Sequence, residues 1–121
     1  MPDRFERETI SIGGACGYWG ESALATPQLL AAGDLDYLVY DYLAEITMSI
    51  MARARARDPS QGYATDFVSA VLAPQLGEIQ RQGVRILSNA GGVNPAACGQ
   101  AVEALVDQQG PVSDKHLRAH E

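Results

Sequence analysis

Glu21, Asp41 and Glu45 are the carboxylates best placed in this sequence for general acid or base work, which needs a carboxyl group close to its proton and tuned by partial burial. Asp41 and Glu45 are four residues apart, so a helix beginning promptly after Asp41 brings both near one mouth. The run Ile12-Gly13-Gly14-Ala15-Cys16-Gly17-Tyr18-Trp19-Gly20-Glu21-Ser22 supplies glycines that let backbone approach a ligand closely and rest an anion on main-chain N–H groups. A second donor-rich run, Ser88-Asn89-Ala90-Gly91-Gly92-Val93-Asn94-Pro95, adds amide side chains and a helix start, suited to a carboxylate, phosphate or thioester oxygen. Gly13, Gly14, Gly17, Asn89, Gly91, Gly92 and Asn94 are therefore the ligand-binding candidates, with the three acids as catalytic candidates. The same acids also suit helix N-terminal capping, and the same glycines suit tight strand-to-helix connections. Both readings stand at this level.

Other reactive groups carry less. The spacing Gly14-x-x-Gly17-x-x-Gly20 is not the dinucleotide fingerprint, and no Gly-Lys-Ser/Thr comes after it to make a nucleotide P-loop. Cys16 lies in the first turn, but none of the three turns contains the histidine that usually activates a thiol. Cys98, on an apolar helical pattern, reads as a small packed residue. Tyr18 and Trp19 are suited to stacking on a ligand and equally to packing on a helix layer. His116 and His120 share a helical face without a third ligand, inside a charged tail, so no metal site is expected. No motif assigns a cofactor.

The elements that must position these groups alternate. Residues 9–12 form a short β-rich segment ending in glycines, and residues 37–40 and 84–87 are further β-type runs. The 37–40 run is continuously apolar, as when both faces of a parallel strand are covered. Thr26-Pro27 is a cap-plus-proline helix start, with an earlier start near Ser22 as the alternative and Gly33 as the end. From residue 43 to 57, Leu43, Ile46, Ile50, Met51 and Ala54 recur at helical spacing, and Asp58-Pro59-Ser60-Gln61-Gly62 breaks the pattern. Phe67, Val68, Val71, Leu72, Leu76 and Ile79 make another helical pattern that Pro74 should kink or divide, with Gly83 capping its end. Asn94-Pro95 starts a last helix and Gly110-Pro111 stops it. The order β-α-β-α-α-β-α predicts an α/β fold, an incomplete Rossmann-like parallel sheet of about three strands with helices on both faces. Residues 1–111 form the amino-terminal α/β domain or part of a larger one, and 112–121 a polar tail. All three chemical turns then fall at the carboxyl ends of strands, where open α/β sheets bind ligands.

Composition narrows the partners. A net charge of −6 argues against nucleic acid, whose affinity depends on clustered Lys and Arg. Arg53, Arg55 and Arg57 are the one dense basic run and suit a helix C-terminus. No apolar stretch approaches the roughly 18 residues of a membrane span, and two cysteines without a secretory segment fit a reducing cytoplasm. Three parallel strands leave two open edges, which admit a partner chain or a homo-oligomer.

The glycine run of residues 12–22, with Asp34-Leu35-Asp36-Tyr37-Leu38-Val39-Tyr40-Asp41-Tyr42-Leu43-Ala44-Glu45 and Asn89-Ala90-Gly91-Gly92-Val93-Asn94-Pro95, resembles the acyclic terpene utilisation family over about residues 9 to 109. The resemblance implies a role in bacterial breakdown of branched acyclic terpenoids such as citronellol and geraniol, beside acyl-CoA carboxylases. Members of that family are several times longer, so the chain resembles an amino-terminal part of one, and the residues after Gly110 depart from the family pattern. The leading expectation is a catabolic enzyme domain handling a branched acyl or acyl-CoA-like small molecule. The rivals are a non-catalytic binding or assembly subunit that docks on an acyl-CoA carboxylase-type protein, and a truncated fragment without independent activity.

Overall fold

The computed structural model describes residues 8–21 and 23–109. Three strands, β1 (Ile12–Cys16), β2 (Tyr37–Tyr40) and β3 (Arg85–Ser88), form one parallel sheet in the order β1-β2-β3. The helices are α1 (Ala25–Ala32), α2 (Glu45–Arg57), α3 (Ala73–Gln82) and α4 (Pro95–Gln108), with a π-helical stretch, Phe67–Leu72, running directly into α3. The α/β alternation is as the sequence predicts, but the first strand is Ile12–Cys16 rather than residues 9–12, so Gly13, Gly14 and Cys16 lie in the strand and not in the turn after it. Residues 112–121, with His116 and His120, and the Gly110-Pro111 stop lie outside the described residues. Among the described residues no helix is long and apolar enough to cross a membrane.

Coverage of the sheet differs from the expected helices on both faces. Burial alternates along each strand: Gly13, Ala15, Leu38, Tyr40 and Ile86 are buried, whereas Ile12, Gly14, Arg85 and Leu87 are exposed and Tyr37 and Val39 are part-covered. Ile12 keeps 58% and Leu87 37% of their surface, too much for strands under a second helix layer. The strand order gives the reason. Right-handed crossovers that step twice in the same direction deliver every connecting helix to the same side. There α1 packs on β1 and α3, and α4 packs on the π-helical stretch.

Local chemistry fixes each helix. Gly33, at φ 76°, ends α1 and donates its N–H to the Leu29 and Leu30 carbonyls. Gly13 lets α1 sit close, because a Cβ there would lie 3.1 Å from Leu38 Cδ2 and 3.2 Å from Leu35 Cδ1. Thr26 is not the expected cap. The helix begins at Ala25, and the buried Thr26 hydroxyl instead lies 2.7 Å from the Tyr40 hydroxyl. Proline, which lacks an N–H, divides the second helical pattern as expected: the Ala73 N–H reaches back to the Val68 carbonyl, and α3 restarts with Pro74 in its first turn. Asn94 caps α4, its side chain accepting from the Ala97 N–H.

The helix α2 is rotated from the expected orientation. Met51 and Thr47 are buried, while Ile46 is 70% and Ile50 45% exposed. The Thr47 hydroxyl accepts from the Ala44 N–H at 2.6 Å and donates to the Ala44 carbonyl at 2.8 Å, which ties that face inward at the helix start. Between helices and sheet, Tyr40 stacks on Tyr42 with ring centroids 6.3 Å apart, and Phe67 meets both edge-on.

Candidate functional site

The register sets the site. Cys16 pairs with Tyr40 and Tyr40 with Ser88, so Gly17, Asp41 and Asn89 leave the sheet side by side at its carboxyl edge. Backbone bonds hold them there, with the Asp41 N–H on the Cys16 carbonyl at 2.9 Å and the Asn89 N–H on the Tyr40 carbonyl at 3.4 Å. A bulge between Gly14 and Cys16 adds a residue to β1. Such an insertion re-aims the side chains after it, and here the Cys16 thiol points at the Tyr18 and Asp41 carbonyls, 3.1 and 3.8 Å away.

Asn89 and Asp41 form the centre of this edge. The Asn89 Nδ2 donates to Asp41 Oδ1 at 2.8 Å, and Asn89 Oδ1 accepts the Tyr42 N–H at 2.8 Å. The Leu43 N–H also reaches Asp41 Oδ1, at 3.3 Å. These bonds orient an exposed carboxylate while leaving its Oδ2 open among the described residues. Asn89 retains a second amide hydrogen.

The remaining candidates divide by what already occupies them. Glu21 comes to the same rim, its Oε2 accepting the Gly17 N–H at 2.6 Å, so that donor and that acid are engaged with each other. Glu45 is exposed in the first turn of α2. Gly13 is buried beneath Leu38 and Leu35, and Gly14 faces open space on the uncovered side of the sheet. In the third turn the Gly92 N–H is taken by the Asn89 carbonyl at 3.2 Å, whereas Gly91 has no N–H partner among the described residues. Both glycines also have a packing reason. A Cβ on Gly91 would come 2.9 Å from Pro95, and Gly92 has φ 55° and faces Met51 and the Gly62 carbonyl. Asn94 is buried, with Nδ2 donating to the Pro59 and Gln61 carbonyls at 2.9 and 2.8 Å. Its amide holds the 58–62 loop to the start of α4.

The thiol is not tuned for attack. Burial pushes Cys16 up from its ordinary value, hydrogen bonding with the Tyr18 backbone opposes this, and Glu21 and Asp66 push it further up. A nucleophilic cysteine needs the opposite shift. Burial likewise drives Cys98 up to about 11, and Tyr42 is raised by burial first and then by its charged and polar neighbours. Cys16 at this rim is therefore a neutral thiol at physiological pH.

Two participants carried no sequence signal. Asp66, at the start of the π-helical stretch, accepts the Trp19 indole N–H at 2.7 Å across 47 residues of chain. Tyr42 lies beyond the β2 run yet is buried against Cys16 and Phe67. A separate shallow cleft of about 470 Å³, lined by Ala52, Arg55, Ala56, Pro59 and Val93, contains none of the candidate residues.

No curated protein and no solved structure matches the chain. The model of the acyclic terpene utilisation family protein AtuA matches residues 10–115, a span that includes every element of the fold and all three strand-end turns. The chain belongs to the acyclic terpene utilisation family.

Proposed function

We propose that this protein acts on a branched acyl or acyl-CoA-like intermediate of citronellol- or geraniol-type terpenoid breakdown, in the cytoplasm, by proton transfer next to a polarised carbonyl. The observation that carries the reading is the Asp41–Asn89 pair at the carboxyl edge, an exposed carboxylate held by an amide that still has a hydrogen to give. In this reading Asp41 Oδ2 takes or returns the proton. The free Asn89 amide hydrogen and the Gly91 N–H hold the thioester oxygen, as preorganised donors do for developing charge. Glu21, bound to the Gly17 N–H, and Glu45, in the first turn of α2, serve as second acids in this reading. The family supports terpenoid utilisation as the setting.

Incubating the folded protein with geranyl-CoA in D2O and following deuterium uptake into the thioester by mass spectrometry tests this. Uptake is expected, and Asp41→Asn should slow it by roughly 10²–10⁴-fold, the usual contribution of a positioned acid or base. Recovery of unchanged thioester from folded protein would overturn the catalytic reading.

The open sheet face favours a second reading. Ile12, Leu87 and the half-covered Val39 lie on one side of three strands with no described helix above Ile12 or Leu87. Parallel sheets are normally covered on both sides. A subunit that docks there on an acyl-CoA carboxylase-type protein, or on a second copy of itself, uses this surface without performing chemistry. Co-purification with a carboxylase subunit, together with unaltered geranyl-CoA, distinguishes it from catalysis.

A further inference from the structure

Among the described residues, one side chain of the glycine-rich turn ties it to a distant part of the fold. Residues 17–21 leave β1 as Gly17-Tyr18-Trp19-Gly20-Glu21, with Gly20 at φ 101° and Tyr18 60% exposed. Two bonds close the turn on itself: the Gly17 N–H on Glu21 Oε2 and the Glu21 N–H on the Tyr18 carbonyl at 3.3 Å. The Cys16 thiol at the end of β1 also reaches the Tyr18 carbonyl at 3.1 Å, but among the described residues the side-chain hydrogen bond that ties the turn to a distant segment is Trp19 Nε1 donating to Asp66 Oδ1 at 2.7 Å. Both partners are part-buried, so water competes less for the bond than it does at the surface.

The acceptor stands on firm ground. Asp66 directly precedes Phe67, whose buried ring meets Tyr40 at 5.3 Å and Tyr42 at 5.8 Å between centroids. The Tyr42 N–H in turn is held by Asn89, which also binds Asp41. Trp19 is therefore tied to the same packed unit that orients the edge carboxylate. The unit includes a π-helical stretch, a feature that recurs at functional sites because it offsets a side chain from regular helical register.

We propose that the Trp19–Asp66 hydrogen bond is a latch that seats the glycine-rich turn over the carboxyl edge, making Trp19 and Asp66 positioning residues for the site. The inference deepens the acyl-ligand reading above by naming what sets the height of the turn beside Cys16 and Asp41. Glycines at 17 and 20 give the turn the backbone freedom to swing away once the indole is released.

Trp19 is the only tryptophan in the sequence, so the emission reports on this position alone. Asp66→Ala should shift the emission to the red and speed hydrogen exchange of the Gly17 and Glu21 amides by about tenfold or more, the effect of losing a bond to a charged acceptor. Asp66→Asn keeps a carbonyl oxygen at the same place and should hold both readouts near wild type. Unchanged emission and exchange in Asp66→Ala, or an Asn variant that behaves like the Ala variant, would overturn the latch. Should Asp66→Ala lose its far-UV signal, Trp19→Phe decides by exchange alone, since it keeps a ring and removes the donor. Faster exchange in folded Trp19→Phe supports the latch and unchanged exchange refutes it. All these readouts are taken without ligand, so a failure of geranyl-CoA to bind counts against the substrate reading and not against the latch.

Discussion

Replacing Gly92 with alanine tests whether the third turn is built first for packing. Gly92 has φ 55°, in the left-handed region, where an ordinary L-residue costs about 1–2 kcal/mol. Its added Cβ would also press on the Met51 sulfur and lie 2.8 Å from the Gly62 carbonyl oxygen. The Met51 side chain ends in flexible atoms and can swing aside. The Gly62 carbonyl cannot, because it is main chain and accepts the Val93 N–H at 3.0 Å. Overpacking of this kind costs about 1–3 kcal/mol, so the two effects together give about 2–5 kcal/mol. For a domain near this size that lowers Tm by roughly 10–25 °C. Thermal melting followed by circular dichroism measures it, with Gly14→Ala as the control, since nothing lies within 4 Å of a Cβ there. Equal melting of Gly92→Ala and wild type would refute the reasoning and return Gly92 to the role of a ligand contact.

Thr26→Val should destabilise by about 1–3 kcal/mol, because it strands the buried Tyr40 hydroxyl, whereas adding Tyr40→Phe should recover much of the loss. Urea melts of the two single variants and the double variant read this coupling, and simple additivity would remove it. Alkaline pH should unfold the protein through its tyrosines. Burial, only partly offset by the Thr26 bond, pushes Tyr40 up to about 12, so the fold favours the neutral phenol. That contribution is complete below the ordinary phenol value of about 10 and declines as pH rises toward 12, a loss of about 3 kcal/mol. Tyr42 is shifted the same way by burial and adds to it. Tyrosinate absorbance and circular dichroism should change together above pH 10; ionisation of all five tyrosines in a folded chain would contradict the burial argument.

Much of the fold was legible because its signals are local. Gly33 and Gly83 end helices, Asn94-Pro95 starts one, and Pro74 divides another, each through backbone chemistry that does not depend on distant neighbours. The convergence of Gly17, Asp41 and Asn89 was also legible, since parallel strands all point their carboxyl ends the same way. The hidden features depend on contacts far apart in sequence. Thr26 looked like a cap because nothing nearby shows that Tyr40 will be its partner. Of the apolar stripe in α2, Met51 is buried as its spacing suggests, but Ile46 and Ile50 face outward and Thr47 turns inward. The one-sided helix layer comes from strand order, which a pattern of strands and helices alone leaves open. Asp66 is an ordinary helix-start acid until Trp19 meets it.

The uneven covering of the sheet also shapes how the sequence can drift. Leu38, Tyr40 and Ile86 answer to the interior of this molecule, whereas Ile12, Val39 and Leu87 point away from it. Tolerance to substitution should alternate with a period of two along each strand. An outward set that resisted polar substitution as firmly as the inward one would point to a neighbour on the open side of the sheet.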